Sequence, residues 1–457
     1  MRLPVKRSLE WLSLIYLLYS LLLGAGMLLS APYWAFQMLR HGKYRKGLSE
    51  RFGHVPSRLR AGGSAAHAQP VIWVHAVSVG EVLAIRGLVE ELRRRFPEHR
   101  IVVTTTTDSG QVLARKRFGE ENVFYFPMDF AFAILPYLRA LRPELVVIAE
   151  TEFWPNFLHL AHASGASIAI VNARISDRSW PNYQKFRWAL RKVLANVDLF
   201  LAQTPDDATR LQSLGAGKGR VQITGNLKFD MNLPAPPPII GTLRRSLGES
   251  GTGPVLVCGS TVEGEESLLL KAFENVLVAH PRAAMILAPR HPERFAAVAT
   301  LLEEMGIPFW RRSNWHDEPI TGGVLLVDTI GELAALYALA DVAFVGGSLV
   351  PRGGHNIIEP AQHGAAIVIG NHTENFRDIV GLFQSRDALR VVGLAELPLT
   401  LMELLANDSE RAALGRRAAE TMKSQTGATL RTIEALEKLL ATRGVQPRSS
   451  AQAARTE

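Results

Sequence analysis

At 457 residues, of which 47% are hydrophobic, the chain is long enough for two or three packed domains and is no disordered polypeptide. Its one cysteine, Cys258, excludes an intrachain disulfide and fits a reducing compartment; within the apolar run 255–258 it reads as core rather than nucleophile. The formal charge of +8 suits an acidic membrane surface or a phosphorylated substrate, and with neither zinc-finger spacing nor an aromatic RNA-binding signature, nucleic acid is not expected as a partner.

No side chain from residue 11 to residue 39 is charged. About 20 apolar residues suffice to cross a bilayer, and Tyr16, Tyr19 and Trp34 suit its interfaces. The run is too long for a cleaved signal peptide and lacks a small-residue cleavage site. It is apolar all round rather than on one face, which argues against a helix lying in the interface. Residues 1–40 are therefore expected to form a membrane anchor. Arg40, Lys43, Arg45, Lys46 and Arg51 make a more basic flank than Arg2, Lys6 and Arg7, so the positive-inside rule puts the body of the chain in the cytoplasm.

Residues 58–70, rich in Gly, Ala and Ser, read as a loop. Strands at 71–76, 101–106, 145–149, 167–171 and 199–202 then alternate with helices, the first at 81–96. The run Pro234-Ala235-Pro236-Pro237-Pro238 breaks the pattern, because consecutive prolines continue neither a helix nor a central strand. A second alternation follows, with strands at 255–258, 284–288, 323–327, 342–345 and 366–369. Residues 410–443 read as helical and 446–457 as a polar tail. This divides the chain into a first α/β domain at 41–231, a linker at 232–239 and a second α/β domain at 240–445. Both read as doubly wound parallel sheets, which bind ligands at the carboxyl ends of their strands.

Those ends carry the polar residues. In Trp73-Val74-His75-Ala76-Val77-Ser78-Val79-Gly80-Glu81 a strand leads to a Ser/Gly turn and a carboxylate at a helix start. Glu81 there reads equally as a general base or as a complement to the helix dipole. The dipole would lower its pKa and burial would raise it. Glu150 and Glu152 follow the 145–149 strand, ahead of Pro155, and read as capping acids. Arg174 and Arg178 lie on a loop that could clamp a carboxylate or phosphate. Lys228, in Thr224-Gly225-Asn226-Leu227-Lys228, stands just before the linker.

In the second domain, Gly259-Ser260-Thr261-Val262-Glu263-Gly264-Glu265-Glu266 is a weak phosphate-loop signal. Pro289 and Arg290 end a strand where an arginine could reach a nucleotide phosphate. A polar loop, Gly370-Asn371-His372-Thr373-Glu374-Asn375, follows the last strand. Between them, Asp328-Thr329-Ile330-Gly331-Glu332-Leu333, the turn Gly346-Gly347-Ser348 and Gly353-Gly354-His355-Asn356-Ile357-Ile358-Glu359-Pro360 suggest backbone amides near a phosphate and carboxylates near sugar hydroxyls. No His/Asp cluster has metal-ligand spacing.

This last stretch resembles the donor-binding signature of the bacterial 3-deoxy-D-manno-octulosonic acid (Kdo) transferases, lipopolysaccharide enzymes that move Kdo from CMP-Kdo to a lipid A precursor. The resemblance runs from about residue 35 to about residue 430, motif by motif and in the family's order. The family more often carries Pro-Leu where this chain has Ile357-Ile358, an apolar-for-apolar change. The resemblance implies the GT-B fold, two facing Rossmann-like domains, and an inverting glycosyltransferase at the inner membrane. It implies Glu81 as catalytic base, Glu150 (with Glu152 next) in transition-state stabilisation and Lys228 in stabilising the leaving phosphate or substrate carboxylate. CMP would be held by Pro289, Arg290, Ile330, Gly331, Glu332, Asn356, Ile357, Ile358 and Glu359, and the acceptor would be the phosphorylated, tetra-acylated lipid A precursor. No metal or other cofactor is expected. The alternatives are a GT-B enzyme using a UDP-sugar, transferase or epimerase, and a membrane-anchored nucleotide- or lipid-binding protein without turnover.

Overall fold

The computed structural model describes residues 14–41, 46–60, 69–177, 179–231 and 236–442. Arg2, Lys6, Arg7, Lys43, Arg45, Arg178, part of the proline run and the 446–457 tail lie outside the described residues. The chain divides into two compact units, one comprising residues 1–231 and 426–457, the other 232–425.

The first unit is built on a seven-stranded parallel sheet of β1 (Val71–His75), β2 (Arg100–Thr105), β3 (Val123–Tyr125), β4 (Pro143–Ala149), β5 (Ser167–Ala173), β6 (Leu199–Ala202) and β7 (Val221–Ile223), in the order β3-β2-β1-β4-β5-β6-β7. The central strands are continuous apolar runs because both faces are covered. One face packs Trp73 among Phe124, Phe126, Tyr137 and Phe157, and the Trp73 indole donates to the Thr104 hydroxyl at 2.8 Å. The order reverses between β1 and β4. Connections leave in opposite directions there, which opens a crevice at the strands' carboxyl ends.

The second unit repeats the plan with β8 (Val255–Thr261), β9 (Ala284–Pro289), β10 (Phe309–Arg311), β11 (Val324–Leu326), β12 (Val342–Val345), β13 (Ala366–Gly370) and β14 (Arg390–Val392), in the order β10-β11-β9-β8-β12-β13-β14. Its reversal lies between β8 and β12.

Two features depart from the expected division. The expected helix at 81–96 is two helices, Val79–Ala84 and Arg86–Arg95. More consequential is the last helix, Ala428–Ala441, which the sequence placed in the second domain and the structure places in the first unit. Ile433, Leu436 and Leu440 join the core that contains Leu88, Val89 and Leu92. Gly427, with φ of 91°, breaks it from the helix Asp408–Lys423. The Asp230 carboxylate then accepts the backbone N–H of Gly427 at 2.6 Å and of Thr429 at 2.5 Å, so a residue that precedes the second unit caps the helix that follows it. Arg95 adds an ion pair to Glu437 at 3.1 Å.

The N-terminal apolar run is a single helix, α1 (Leu14–His41), long and apolar enough to cross a membrane. Its first turns are fastened to the first unit. Tyr16 stacks on His159 with centroids 4.2 Å apart and accepts from the Asn196 amide at 2.8 Å; the Asn156 amide donates to Ser20 at 2.9 Å.

Asp230→Ala should cost about 1.5–3 kcal/mol of stability, the scale of hydrogen bonds to a charged group. Urea unfolding should show this as a lower midpoint, and an unchanged midpoint would mean that the last helix is held by its apolar face alone.

Candidate functional site

In the first unit the reversal point brings together three carboxylates and a lysine. After β1 the chain turns at Ser78, which caps the helix Val79–Ala84 by accepting the Glu81 N–H. Glu81 reaches back: one carboxylate oxygen accepts the Val77 N–H at 2.8 Å and the other the Ser78 hydroxyl at 3.0 Å. This is a variant of the capping box that the Ser-x-x-Glu spacing allows, the acid bonding the N–H one residue before the cap and the cap's own hydroxyl. Glu81 thus fills the capping role, and that role also fixes where its carboxyl sits.

After β4, Glu150 adopts φ of 57°. A side chain other than glycine rarely sits there, at a cost of about 1–2 kcal/mol. The Lys228 ammonium stands 3.3 Å from a Glu150 carboxylate oxygen. Lys228 is held in turn by the chain ahead of it: the Asn226 side chain accepts the Lys228 N–H at 2.9 Å, and the buried Asn172 side chain, at the end of β5, accepts the Leu227 N–H at 3.0 Å. Asn172 too has a positive φ, 53°.

The electrostatics follow from this crowding. Burial, reinforced by the negative charge of Glu150, pushes Glu81 up to about 7 against the bonds from Val77 and Ser78 and the charge of Lys228. Burial and the charges of Glu81 and Glu150 push Glu152 up to about 7 as well. In the contest between helix end and burial, burial wins. Near neutral pH Glu81 can both accept and release a proton, which is what general acid–base chemistry requires.

In the second unit the expected residues follow β9, β11 and β12, with one reassignment. The Gly346-Gly347-Ser348 turn was expected to offer amides to a phosphate. Those of Gly347, Ser348 and Leu349 instead bind the fully buried carboxylate of Glu265, at 2.7, 2.9 and 2.9 Å, and the Val262 N–H adds a fourth bond at 3.1 Å. A buried carboxylate needs such partners, and this turn supplies them. Sequence reading quoted Glu265 but missed its role; an acid opening the helix after one strand, opposite a Gly-Gly turn after its neighbour, was the available signal.

Pro289 ends β9 and is buried, whereas Arg290 is exposed, its N–H donating to the Thr261 carbonyl at 2.8 Å. Glu359 lies close enough to Arg290 to feel its charge, yet burial raises its pKa overall; the Asn356 amide donates to it at 3.3 Å. His355 is pushed down to about 4 by burial and by Arg290 and His291. Glu332 is engaged with Arg312 at 2.8 Å and with the Thr329 hydroxyl, next to exposed Ile330 and to Gly331 at φ 93°. Ile357 and Ile358 are core side chains, and the Ile358 N–H is taken by the Asn356 side chain at 3.1 Å. Ile357 and His355 line a small cavity with Ser348, Thr373 and Phe376. Among the described residues no group of three or more His, Cys, Asp or Glu side chains could hold a metal.

A family model described as 3-deoxy-D-manno-octulosonic-acid transferase (kdotransferase) matches residues 46–231. The 3-deoxy-D-manno-octulosonic acid transferase of Haemophilus influenzae is 34% identical over 407 residues, which are 87% of this chain and 92% of that protein. The transferase of the same name from Bordetella pertussis is 36% identical over 430 residues, 90% of this chain and 97% of that one. Among solved structures, a glycosyltransferase from Rickettsia africae superposes with a TM-score of 0.54 over 81% of this chain and 99% of that chain; at 11% identity the likeness is one of fold, the two parallel-sheet α/β units of GT-B enzymes.

A carboxyl raised to about 7 holds its proton more tightly in the folded than in the unfolded chain. Its contribution to stability is therefore present below about pH 4.5 and lost as pH rises through 7. Carbon-13 NMR of the glutamate side chains should place the Glu81 midpoint near pH 7, and Glu150→Gln should lower it by removing a neighbouring negative charge. A Glu81 midpoint near 4.5, unmoved in that variant, would contradict the crowding described.

Proposed function

This chain belongs to the Kdo transferase family, glycosyltransferases of lipopolysaccharide biosynthesis, and on that premise we propose that it transfers Kdo from CMP-Kdo to the tetra-acylated, phosphorylated lipid A precursor, lipid IVA, with inversion. The observation that carries the reading is the half-buried Glu81 carboxyl, held at the carboxyl end of β1 by Val77 and Ser78, its pKa pushed up to about 7 by burial and the nearby charge of Glu150. Glu81 takes the proton of an acceptor hydroxyl as its oxygen attacks the anomeric carbon of Kdo. The bond from that carbon to the phosphate of CMP breaks, and the electron pair leaves with CMP. Lys228, oriented by Glu150, is the cation that meets the Kdo carboxylate or the departing phosphate. The negative charge of Glu150 favours proton uptake by Glu81.

The donor belongs to the second unit. Arg290 meets the nucleotide phosphate and Glu359, with Asn356, accepts from the ribose. Ile330 and Gly331 contribute exposed backbone. Since Glu265 engages the Gly347–Leu349 amides, Arg290 rather than that turn carries the phosphate contact. A monophosphate leaving group met by fixed cations needs no metal in this scheme. Helix α1 holds the chain at the bacterial inner membrane, on the cytoplasmic side, where a lipid acceptor is met.

Mass spectrometry of the product from CMP-Kdo and purified lipid IVA tests the reaction itself. Glu81→Gln should cut turnover by roughly a hundredfold or more while CMP affinity is unchanged. Near wild-type turnover in that variant would remove Glu81 from the mechanism and make Glu150 the next carboxylate to examine. Arg290→Ala should weaken CMP binding by about one to two decades, the loss of one charge-assisted bond. Calorimetry showing equal affinity would place the phosphate elsewhere.

A further inference from the structure

A helix that crosses a bilayer separates its two ends by the hydrocarbon thickness, about 30 Å. The two ends of α1 are not separated in this way. Near its start, Tyr16 and Ser20 are bonded to Asn196 and Asn156 of the first unit, and Tyr16 stacks on His159. Past its end the chain is back in the same unit by Gly47, which lies directly against the Tyr125 ring. From His41 to Lys46 there are five Cα steps, a reach of at most about 18 Å, whereas the 28-residue helix is about 42 Å long.

The exposure pattern along α1 agrees. Tyr16 is buried and Ile15, Tyr19, Ser20, Leu23, Met27 and Ser30 are half-buried, a stripe at helical spacing that extends for about 22 Å, while residues 31–36 are exposed. Leu14, Leu18, Leu21, Leu22, Leu28 and Leu29 are exposed between 50% and 84%. The half-buried side carries Tyr16, Tyr19 and Ser20; the exposed side is mostly leucine, with Tyr33 and Phe36 towards the end of the helix. A helix lying between a protein and lipid is apolar on nearly all sides, so its lack of one-sided character is no argument for spanning.

The neighbouring surface fits the same partner. The helices Trp180–Lys185 and Arg187–Leu194 contain no acidic residue and expose Lys185, Arg187, Arg191 and Lys192 beside Phe186 and Trp188, at 61% and 62% exposure. The second of them leads directly to Asn196, the partner of Tyr16. Exposed aromatics among basic side chains suit the headgroup layer of an anionic leaflet.

We infer that α1 lies in the plane of one leaflet, clamped along the first unit with its leucine side in the acyl chains, and does not span the bilayer. The inference rests on the membrane reading above and sharpens it. Ser8→Cys, upstream of α1, and Ser213→Cys, on the surface of the first unit, would each be placed in the full chain, whose native Cys258 is buried. A membrane-impermeant maleimide should modify both in inside-out membrane vesicles and neither in intact spheroplasts. The pair Ser20→Cys and Asn156→Cys should cross-link in the membrane on mild oxidation. Modification of Ser8→Cys from the opposite side to Ser213→Cys would overturn the inference while leaving membrane attachment intact. So would absence of the cross-link in membranes that still transfer Kdo. Recovery of the chain in the detergent-free soluble fraction, as monomer or dimer, would sink the membrane reading and the inference with it.

Discussion

Like charges held close in a place with little water dominate this molecule. Glu81, Glu150 and Glu152 meet where strand order reverses in the first sheet, and neighbouring negative charge adds to burial in disfavouring ionisation of Glu81 and of Glu152. Left alone, such a cluster would turn its side chains outward to solvent. The surrounding structure prevents this one residue at a time. Ser78 and Val77 tie the Glu81 carboxyl to a helix end; the left-handed backbone at Glu150 and the nearby Lys228 fix the second acid. Asn172 and Asn226 hold the segment that carries the lysine. The perturbed acidity comes first from burial and then from the neighbouring negative charge.

The second sheet meets the same situation at its own reversal point and resolves it differently. There one carboxylate, Glu265, is fully buried and fully bonded, its oxygens filled by four backbone N–H groups. Two acids that open helices after strands at corresponding places in two similar sheets thus sit in different surroundings, Glu265 among four backbone donors and Glu81 between two donors and a neighbouring acid.

Much of this was legible in the sequence. The central strands stand out because they are buried on both faces and so read as unbroken apolar runs. The four strands that escaped notice, Val123–Tyr125, Val221–Ile223, Phe309–Arg311 and Arg390–Val392, have three residues each and lie at the sheet edges, too short for periodicity to register. Glu81, Glu150 and Lys228 were singled out by resemblance to a family rather than by spacing alone, and the structure places the Lys228 ammonium 3.3 Å from Glu150. Three things were beyond its reach because they depend on distant chain: the engagement of the Gly347 turn by Glu265, the pairing of Glu332 with Arg312, and the return of the last helix to the first unit.

The return of that helix bears on how the protein is made. Residues 1–231 emerge from the ribosome first, and by the usual order of synthesis would fold first. Their core nevertheless lacks Ile433, Leu436 and Leu440, and Asp230 lacks the N–H groups it binds, until nearly two hundred further residues have been added. The earliest-made unit is therefore the last to be finished, and its apolar seam stays open throughout translation of the other. A stop codon anywhere in the second unit would release a chain with neither unit's requirements met, so the closing helix acts as a seal that only a fully translated chain can apply.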